Sequence, residues 1–375
     1  MKKINCAVFI SDVGFGHMVR QRQVIQELLR VFKNISITVY NKNNLKILRK
    51  SFKNKIKYRE NFNNIYLYKT KNGLLDLKKT KKEVYNWESN AKKFLKNKYY
   101  ELSRYDFFIS DLVPEISYFA FIKGKPCFSI CHYTWDWFFN KIFKKNRNTV
   151  LMKKYTNLST KIYFPPFTHK VILRDTKKFK LVNFVSNKLL KSNFLKNKKK
   201  TTILIMNNGT KTLSLKIAKI IPILNQLRNY NFYISTSKLQ KKLLQKVKIS
   251  ENIFLINNSL KSMYDFIKNA DLIIARGGYN TITECLVYRK PSILAEEKNN
   301  PEIMENLSNI KKKNLAIIIK DHEWRPKTFK KMLDRFFKYR INFIISNLKK
   351  FKIKNNGAQD IVKDIKKELK LRKIL

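Results

Sequence analysis

A short loop with two glycines and a histidine follows the first apolar segment of the chain. Gly14, Gly16 and His17 stand between the apolar run 4–10 and a stretch with helical spacing. Glycine lets the backbone approach a ligand closely, and the start of a helix favours negative charge. His17 is one of only four histidines, and its place at the end of a strand makes it a candidate general base. The alternative is a tight turn with an incidental histidine.

The segment 275–284 is the stronger candidate for phosphate binding. A strand is predicted to end there in adjacent glycines and a helix to start near Thr281, so main-chain N–H groups and the helix dipole could stabilise a diphosphate. Glu284 could accept hydrogen bonds from ribose hydroxyls. Alternatively, Thr281 and Glu284 have the spacing of a capping box, in which Glu284 folds back onto its own helix start. The candidate binding residues of this segment are Arg276, Gly277, Gly278, Asn280, Thr281 and Glu284.

Three further segments follow predicted strands. Asn208, Gly209 and Thr210 form a loop that could touch phosphate, although an ordinary turn explains them equally well. Asp111 ends a predicted strand and could serve as a general base or as the N-cap of the next helix. The aromatic segment 132–137 could line a pocket for a sugar or a lipid, or pack between domains.

The elements that must position these residues alternate between strands and helices in two passes. Such alternation predicts parallel sheets covered by helices on both faces. The polar, basic stretch 188–200 is predicted to be a linker, between an N-terminal domain over 1–187 and a C-terminal domain over 201–375. The last helix is a candidate to cross back to the N-terminal domain. The predicted strands are 4–10, 35–40, 65–68, 106–110 and 127–131, then 202–206, 232–235, 253–256, 271–275, 292–295 and 315–319.

The composition limits the class of protein. The chain has 375 residues, of which 81 are basic and 26 acidic, for a formal net charge of +55. The lysines are scattered, which favours a generally basic surface over a specific nucleic-acid stripe. Four cysteines are too few for a disulfide framework and fit a reducing cytosol. No apolar run approaches the ~18 residues of a membrane span, and the sequence contains no Asp-x-Asp metal clamp, zinc-ligand spacing or G-x-S-x-G elbow.

With these motifs assembled, the chain resembles glycosyltransferases of the GT-B fold. The segment 14–20 looks like the G-x-G-H-x-x-R segment of many such enzymes. The segment 270–291 is similar to the donor-binding signature of the N-acetylglucosaminyltransferase family that completes lipid II. The segments 110–114 and 133–137 are similar to the glycosyltransferase-like region of L-arabinokinase, whose kinase domain has no counterpart here.

The resemblance implies two Rossmann-like, doubly wound domains facing across a cleft. A nucleotide-diphosphate sugar, with UDP the expected nucleotide, would bind the C-terminal domain, and an unknown acceptor (a glycan, a lipid-linked molecule or a small molecule) would lie over the N-terminal one. Gly277, Gly278 and Thr281 would face the diphosphate, Glu284 the ribose, and His17 the reacting sugar. The pattern departs from the family at 207–210 and at 300–306, where the usual Glu-Gln pair is absent.

The function expected from this resemblance is a glycosyl transfer that needs no metal and no cofactor beyond the nucleotide-sugar co-substrate. His17 or Asp111 would be the base. The basic surface suggests a cytoplasmic protein that works at an anionic inner membrane face, in cell-envelope chemistry, without a specific nucleic-acid partner. Two other functions are consistent with the same loops: a nucleotide-sugar hydrolase, and a non-catalytic basic protein that binds lipid or nucleic acid.

Overall fold

The computed structural model describes residues 3–60, 62–186, 200–207, 211–236, 248–257 and 260–375. The chain divides into two compact units. The first unit contains Met1–Tyr68, Leu75–Asn187 and Lys354–Leu375, and the second contains Lys69–Leu74 and Lys188–Ile353. The predicted binding residues Asn208, Gly209 and Thr210 lie outside the described residues, as does nearly all of the predicted linker.

The first unit is built on a seven-stranded parallel sheet with the order β3-β2-β1-β4-β5-β6-β7. Strands β1 and β4 lie side by side near its centre, and their residues are almost completely buried because helices cover both faces. The seven strands are β1 (Ile4–Ile10), β2 (Ile35–Tyr40), β3 (Lys57–Arg59), β4 (Phe107–Asp111), β5 (Cys127–Ile130), β6 (Lys161–Phe164) and β7 (Phe179–Leu181).

The helices of the first unit connect these strands. Asp76 caps helix α3 by accepting a hydrogen bond from the Lys79 N–H. The helices are α1 (Gly16–Val31), α2 (Leu45–Phe52), α3 (Leu77–Ser103), α4 (Pro114–Ile122), α5 (Trp135–Ile142), α6 (Arg147–Asn157) and α7 (Lys170–Arg174).

The third strand of this sheet is not where the sequence predicted it. The predicted segment 65–68 is irregular, and the strand is Lys57–Arg59 instead. Ile65 is buried because it packs against the apolar face of α3, for instance near Trp87. The true strand is three residues long with charged ends, so it lacks the apolar pattern that marks a strand in sequence.

The second unit contains a six-stranded parallel sheet with the order β10-β9-β8-β11-β12-β13. Strand β11 therefore lies between β8 and β12, and the carboxyl ends of all three meet at one edge. The strands are β8 (Thr201–Met206), β9 (Tyr230–Thr236), β10 (Ile253–Asn257), β11 (Leu272–Arg276), β12 (Ser292–Ala295) and β13 (Ile317–Ile319). The described helices are α8 (Lys211–Gln226), α9 (Leu260–Asn269), α10 (Tyr279–Val287), α11 (Pro301–Lys312), α12 (Pro326–Arg335) and α13 (Ile341–Lys350).

The C-terminal helix α14 (Gly357–Leu371) packs in the first unit, not the second. It begins at a glycine because the chain passes close to another backbone there: a Cβ on Gly357 would lie 2.1 Å from the Asn183 carbonyl oxygen. Further along, the Asp364 carboxylate accepts hydrogen bonds from Lys161 and Tyr163. These contacts fix α14 against β6.

Within the described residues, none of the helices combines the length and the apolar character that crossing a bilayer requires.

Candidate active site

The first unit brings His17 and Asp111 into direct contact at the carboxyl edge of its sheet. His17 lies in the first turn of α1, directly after the loop that follows β1, and Asp111 is the last residue of β4. The Nδ1 atom of His17 is 2.8 Å from an Asp111 carboxylate oxygen. Both side chains are buried, and Asp111 is fully enclosed. The two residues that the sequence offered as alternative bases therefore form one pair.

Two more side chains, Arg20 and Gln21, contact the Asp111 carboxylate. Arg20 Nη2 donates to both of its oxygens, at 2.8 and 2.9 Å, and Gln21 Nε2 donates to one of them at 2.8 Å. Arg20 Nη1 also lies 3.0 Å from Nδ1 of His132. Arg20 and Gln21 follow His17 by three and four positions, so the same face of α1 supplies all three contacts to Asp111.

These contacts keep Asp111 ionised. Burial opposes the charged form, but the Arg20 guanidinium and the hydrogen bonds from His17 and Gln21 outweigh it and lower the pKa of Asp111 to about 2. An ionised carboxylate only accepts hydrogen bonds. Nδ1 of His17 lies 2.8 Å from Asp111 and 3.1 Å from Nη2 of Arg20. Donation along the shorter contact, to Asp111, places the ring proton on Nδ1 and leaves Nε2 unprotonated in the neutral ring. No described residue donates to that Nε2 atom.

The turn after Asp111 has an unusual backbone. Leu112 adopts φ of +59°, a left-handed conformation that is costly for a residue with a side chain. The Ser110 hydroxyl bridges the turn by donating to the Val113 carbonyl, and the Trp135 indole donates to the Leu112 carbonyl at 2.8 Å. Val113 is the N-cap residue of α4, and it makes no side-chain cap. The N-cap role considered for Asp111 is therefore wrong.

The glycine loop before His17 is tied to the sheet by Asp12. The Asp12 carboxylate accepts hydrogen bonds from the backbone N–H groups of Lys42 and Asn43. Gly14 has φ of +79° and no atom within 4 Å of the place where a Cβ would stand. Gly16 is the first residue of α1. The predicted residues Gly14, Gly16 and His17 are thus brought together at one helix start.

The aromatic segment after β5 belongs to the core of the first unit. Tyr133, Trp135 and Trp137 are all buried, in one cluster with residues of α3, α5 and α6. Trp135 stacks on Phe139 with their ring centroids 5.0 Å apart. The segment therefore packs inside the first unit. Two of its members touch the site: His132 contacts Arg20, and the Tyr133 ring packs edge-on against His17 with the ring centroids 6.1 Å apart.

In the second unit, the two adjacent glycines after β11 have different surroundings. A Cβ on Gly277 would lie 2.6 Å from a methyl carbon of Leu307, so this glycine allows α11 to pack closely. Its N–H donates to the Ala295 carbonyl, and its carbonyl accepts from the Asn306 side chain. A Cβ on Gly278 would meet no atom within 4 Å. Of the two, Gly278 is the one with space for a ligand.

The helix after these glycines starts earlier than predicted. Gly278 is the N-cap and Tyr279 the first helical residue, so Asn280 and Thr281 both lie in the first turn. Thr281 is therefore the third residue of α10, and Glu284 lies in its second turn, half-buried. The capping-box alternative is wrong, because neither residue occupies the position that such a box requires.

The Arg276 side chain is held by a carboxylate that the sequence did not single out. Arg276 Nε donates to Glu297, which follows β12. Glu297 is largely buried, which opposes its ionisation, but Arg276 and Lys69 outweigh this effect and lower the pKa of Glu297. A correct prediction of the strand order could have identified Glu297, because β11 and β12 pair in parallel and their carboxyl ends are adjacent.

No group of three or more His, Cys, Asp or Glu side chains within the described ranges is arranged to hold a metal ion.

The comparisons with known proteins match the C-terminal part of the chain to a protein family. Residues 202–367 match the glycosyltransferase family 28 C-terminal domain. A Clostridium botulinum UDP-N-acetylglucosamine–N-acetylmuramyl-(pentapeptide) pyrophosphoryl-undecaprenol N-acetylglucosamine transferase is 32% identical over 109 residues, which cover 28% of this chain and 30% of that protein. The enzyme of the same name from Thermosipho melanesiensis is 27% identical over 177 residues, covering 46% and 47%. The chain thus aligns with less than half the length of these curated relatives.

Solved structures extend the likeness over the whole chain. Acinetobacter baumannii MurG superimposes with a TM-score of 0.62 at 14% identity, covering 98% of this chain and 100% of that one. Phytolacca americana UGT2, solved in complex with UDP-2fluoro-glucose and pterostilbene, gives a TM-score of 0.69 at 9% identity, covering 98% of this chain and 99% of that one. This chain has the GT-B fold. The predicted fold class of two Rossmann-like parallel-sheet domains is confirmed. The chain is similar to the lipid II-forming transferases, and its residues 202–367 match the C-terminal domain of family 28 glycosyltransferases.

Proposed function

We propose that this GT-B protein transfers a sugar from a nucleotide diphosphate, with UDP the expected nucleotide, to an acceptor hydroxyl group, without using a metal ion. The observation that carries the proposal is the buried contact between His17 and Asp111, in a chain whose other unit matches a glycosyltransferase domain. A histidine whose Nδ1 proton is held by a carboxylate has Nε2 ready to accept a proton.

In the proposed reaction, His17 acts as the general base. Its Nε2 takes the proton of the acceptor hydroxyl while the oxygen attacks the anomeric carbon of the sugar. The bond from that carbon to the diphosphate breaks, and the nucleoside diphosphate leaves with the electron pair. Asp111 is a positioning residue: it holds the tautomer of His17 and stabilises the imidazolium that forms.

The second unit would bind the donor at the turn after β11. Gly278 leaves open space beside the start of α10, and a helix start stabilises the negative charge that develops on a departing diphosphate. Glu284, freed from any capping role, is proposed to bind the ribose. The transfer requires this donor to meet an acceptor bound by the first unit, so the predicted cleft is part of the proposal.

A lipid-linked acceptor at an anionic membrane face is the acceptor class we propose. The curated relatives are named as N-acetylglucosamine transferases that act on a pyrophosphoryl-undecaprenol compound. The first unit has four exposed apolar side chains near the carboxyl ends of α3 and α4, which we call the aromatic patch: Tyr99, Tyr100, Phe121 and Ile122 are 40 to 82% exposed. Lys123 lies with its ammonium 4.0 Å from the centre of the Tyr99 ring. Exposed aromatic rings beside lysines are typical of a membrane-interface surface.

The test is a product assay on the whole chain. Uridine, guanosine and thymidine diphosphate sugars are first compared for their ability to raise the melting temperature. The sugar that binds is then incubated with and without a polyprenyl-pyrophosphate-linked N-acetylmuramoyl acceptor, in buffer containing EDTA. Release of nucleoside diphosphate that depends on the acceptor, with a glycosylated product, supports the proposal.

Two other results would replace it. Equal release of free sugar with and without the acceptor identifies a nucleotide-sugar hydrolase. Stabilisation by polyanions in a salt-sensitive way, with none by any nucleotide sugar, identifies a non-catalytic basic binding protein.

A further inference from the structure

Six residues from the first half of the chain belong to the second unit. The segment Lys69–Leu74, here called the strap, leaves the first unit's sequence after Tyr68 and returns to it at Leu75. Its backbone closes on itself, because the Thr70 N–H donates to the Leu74 carbonyl and the Gly73 N–H to the Thr70 carbonyl. The strap is therefore a compact turn rather than a loose loop.

One end of the strap rests on the start of α8. The Thr212 hydroxyl donates to the Asn72 carbonyl at 3.2 Å. Gly73 has φ of +82°, and a Cβ there would lie 2.6 Å from the Thr212 hydroxyl oxygen and 2.8 Å from the Thr212 backbone nitrogen. Only glycine allows this approach, for reasons of both conformation and space.

The other end of the strap reaches the pair formed by Arg276 and Glu297. Lys69 Nζ lies 3.1 Å from one carboxylate oxygen of Glu297, and Arg276 Nε donates to the other oxygen. Glu297 is 8% exposed, whereas Lys69 and Arg276 are 35 and 25% exposed. One enclosed carboxylate thus holds two cations that both reach solvent, and the cluster keeps a net charge of +1.

The sheet order shows what lies between these two ends. Thr212 follows β8 and Glu297 follows β12, and β11 lies between those strands. Two strand spacings amount to about 10 Å, and the compact strap covers this distance because the long Lys69 side chain extends from one end of it to Glu297 while Asn72 and Gly73 contact Thr212 at the other. The strap therefore runs along the carboxyl edge past the end of β11, where Gly277 and Gly278 turn into α10.

We propose that Lys69 is a further donor-binding residue: together with Arg276, and positioned by Glu297, it binds the diphosphate of the nucleotide sugar. This inference rests on the proposed function. Two cations fixed by a shared carboxylate beside the open turn at Gly278 suit a dianionic diphosphate, because their side chains are already ordered before the ligand arrives. The donor site is then completed by a segment that the family 28 domain match over 202–367 does not include.

The test measures UDP binding by calorimetry for wild type and for the variants Lys69→Met, Lys69→Arg and Lys71→Met. Lys71 is the matched control, since it is an exposed lysine of the same strap that makes no ion pair or hydrogen bond with the described residues. We expect Lys69→Met to weaken UDP binding about tenfold, as for the loss of one charge-assisted hydrogen bond. Lys69→Arg should retain most of the affinity, and Lys71→Met should stay within about twofold of wild type.

Two further measurements separate a diphosphate contact from a general loss of structure. Lys69→Met should leave the binding of uridine, which has no phosphate, unchanged, and should make UDP affinity less sensitive to KCl. Gly73→Ala, which displaces the strap from α8, should weaken UDP binding without removing a charge. UDP affinity of Lys69→Met equal to wild type overturns the inference alone. A wild type that binds neither UDP nor any nucleotide sugar overturns the proposed function together with it.

Discussion

His17 is held in place by residues that are distant in sequence. Its partner Asp111 is 94 positions away, and that carboxylate is in turn fixed by Arg20 and Gln21. Each of these residues has a different role, since Arg20 keeps Asp111 charged and Asp111 orients His17. A side chain with only Nε2 left to accept a proton is suited to base catalysis.

We expect His17→Ala to reduce kcat by about 10² to 10⁴-fold while nucleotide binding is retained, since only the proton acceptor is lost. The measurement is steady-state kinetics with the acceptor identified by the product assay, alongside calorimetry with UDP. Asp111→Asn is the contrasting variant. It leaves Arg20 buried without a full negative charge, so we expect it to lower the free energy of unfolding by about 3 kcal/mol as well. Unchanged kcat in His17→Ala would exclude the histidine as base.

Glu115 is a buried carboxyl group that the proposed chemistry does not use. It accepts hydrogen bonds from the Asn63 amide at 2.7 Å and from the Trp87 indole. Burial raises its pKa to about 7, and these hydrogen bonds only partly offset the effect. In the unfolded chain the group would ionise near its ordinary value of 4.5. The native protein is therefore expected to lose stability as the pH rises from about 4.5 to 7.

The variant Glu115→Gln, which cannot ionise, should be free of this loss. We expect its stability to be similar to that of wild type near pH 4.5 and higher by up to about 3 kcal/mol at pH 8, from a shift of roughly 2.5 pH units. Urea unfolding of both proteins across this pH range gives the difference. Parallel stability curves would show that Glu115 is ionised in the folded protein.

The two adjacent glycines in the turn between β11 and α10 have different roles. Gly277 is needed so that α11 can pack, because Leu307 lies where its Cβ would stand. Gly278 has no such neighbour. The same local sequence therefore contains one glycine required by packing and one with open space in front of it.

This difference predicts opposite effects for two alanine variants. Gly277→Ala should reduce the free energy of unfolding by about 1 to 2 kcal/mol, through overpacking against Leu307. Gly278→Ala should leave thermal stability unchanged and weaken nucleotide-sugar binding, because its methyl group would occupy the space beside the helix start. Melting temperatures and UDP affinities of the two variants decide the matter. Equal affinity in Gly278→Ala would move the donor away from this turn.

The net charge of +55 is a property of the whole chain, and it acts over longer distances than any one contact. Such a field draws the protein toward anionic surfaces, while the exposed rings of the aromatic patch provide apolar area for insertion. Charge alone would give attraction that salt removes. Charge with exposed aromatic rings gives attachment that salt reduces only in part.

We therefore expect the protein to sediment with vesicles that contain phosphatidylglycerol and far less with vesicles of phosphatidylcholine alone. The double variant Tyr100→Ser with Phe121→Ser should reduce binding to anionic vesicles several-fold, through the lost burial of two rings. Tyr85→Ser is the matched control, because Tyr85 is 54% exposed on the same helix α3 but is not part of the patch. Binding of the double variant equal to that of wild type would assign the binding to charge alone.

The sequence by itself determined the local parts of this protein. Long buried strands such as β1 and β11 are apolar throughout, because a central strand of a parallel sheet is covered on both faces, and that pattern is visible in one dimension. The glycines next to His17 and after Arg276 indicated the two loops, because the backbone conformation of a strand-to-helix turn depends on the local sequence. Short edge strands such as β3 have no such pattern, so the prediction placed the third strand wrongly at 65–68.

The tertiary structure alone decided which residues meet. His17 contacts Asp111 because β1 and β4 are neighbours in the sheet, and strand order is set by the packing of the whole unit rather than by any one segment. Likewise, only the folded chain brings Lys69 to Glu297 across 228 positions, and only helix packing distinguishes Gly277 from Gly278. Local sequence encodes backbone conformation, whereas side-chain partners depend on three-dimensional proximity between distant segments.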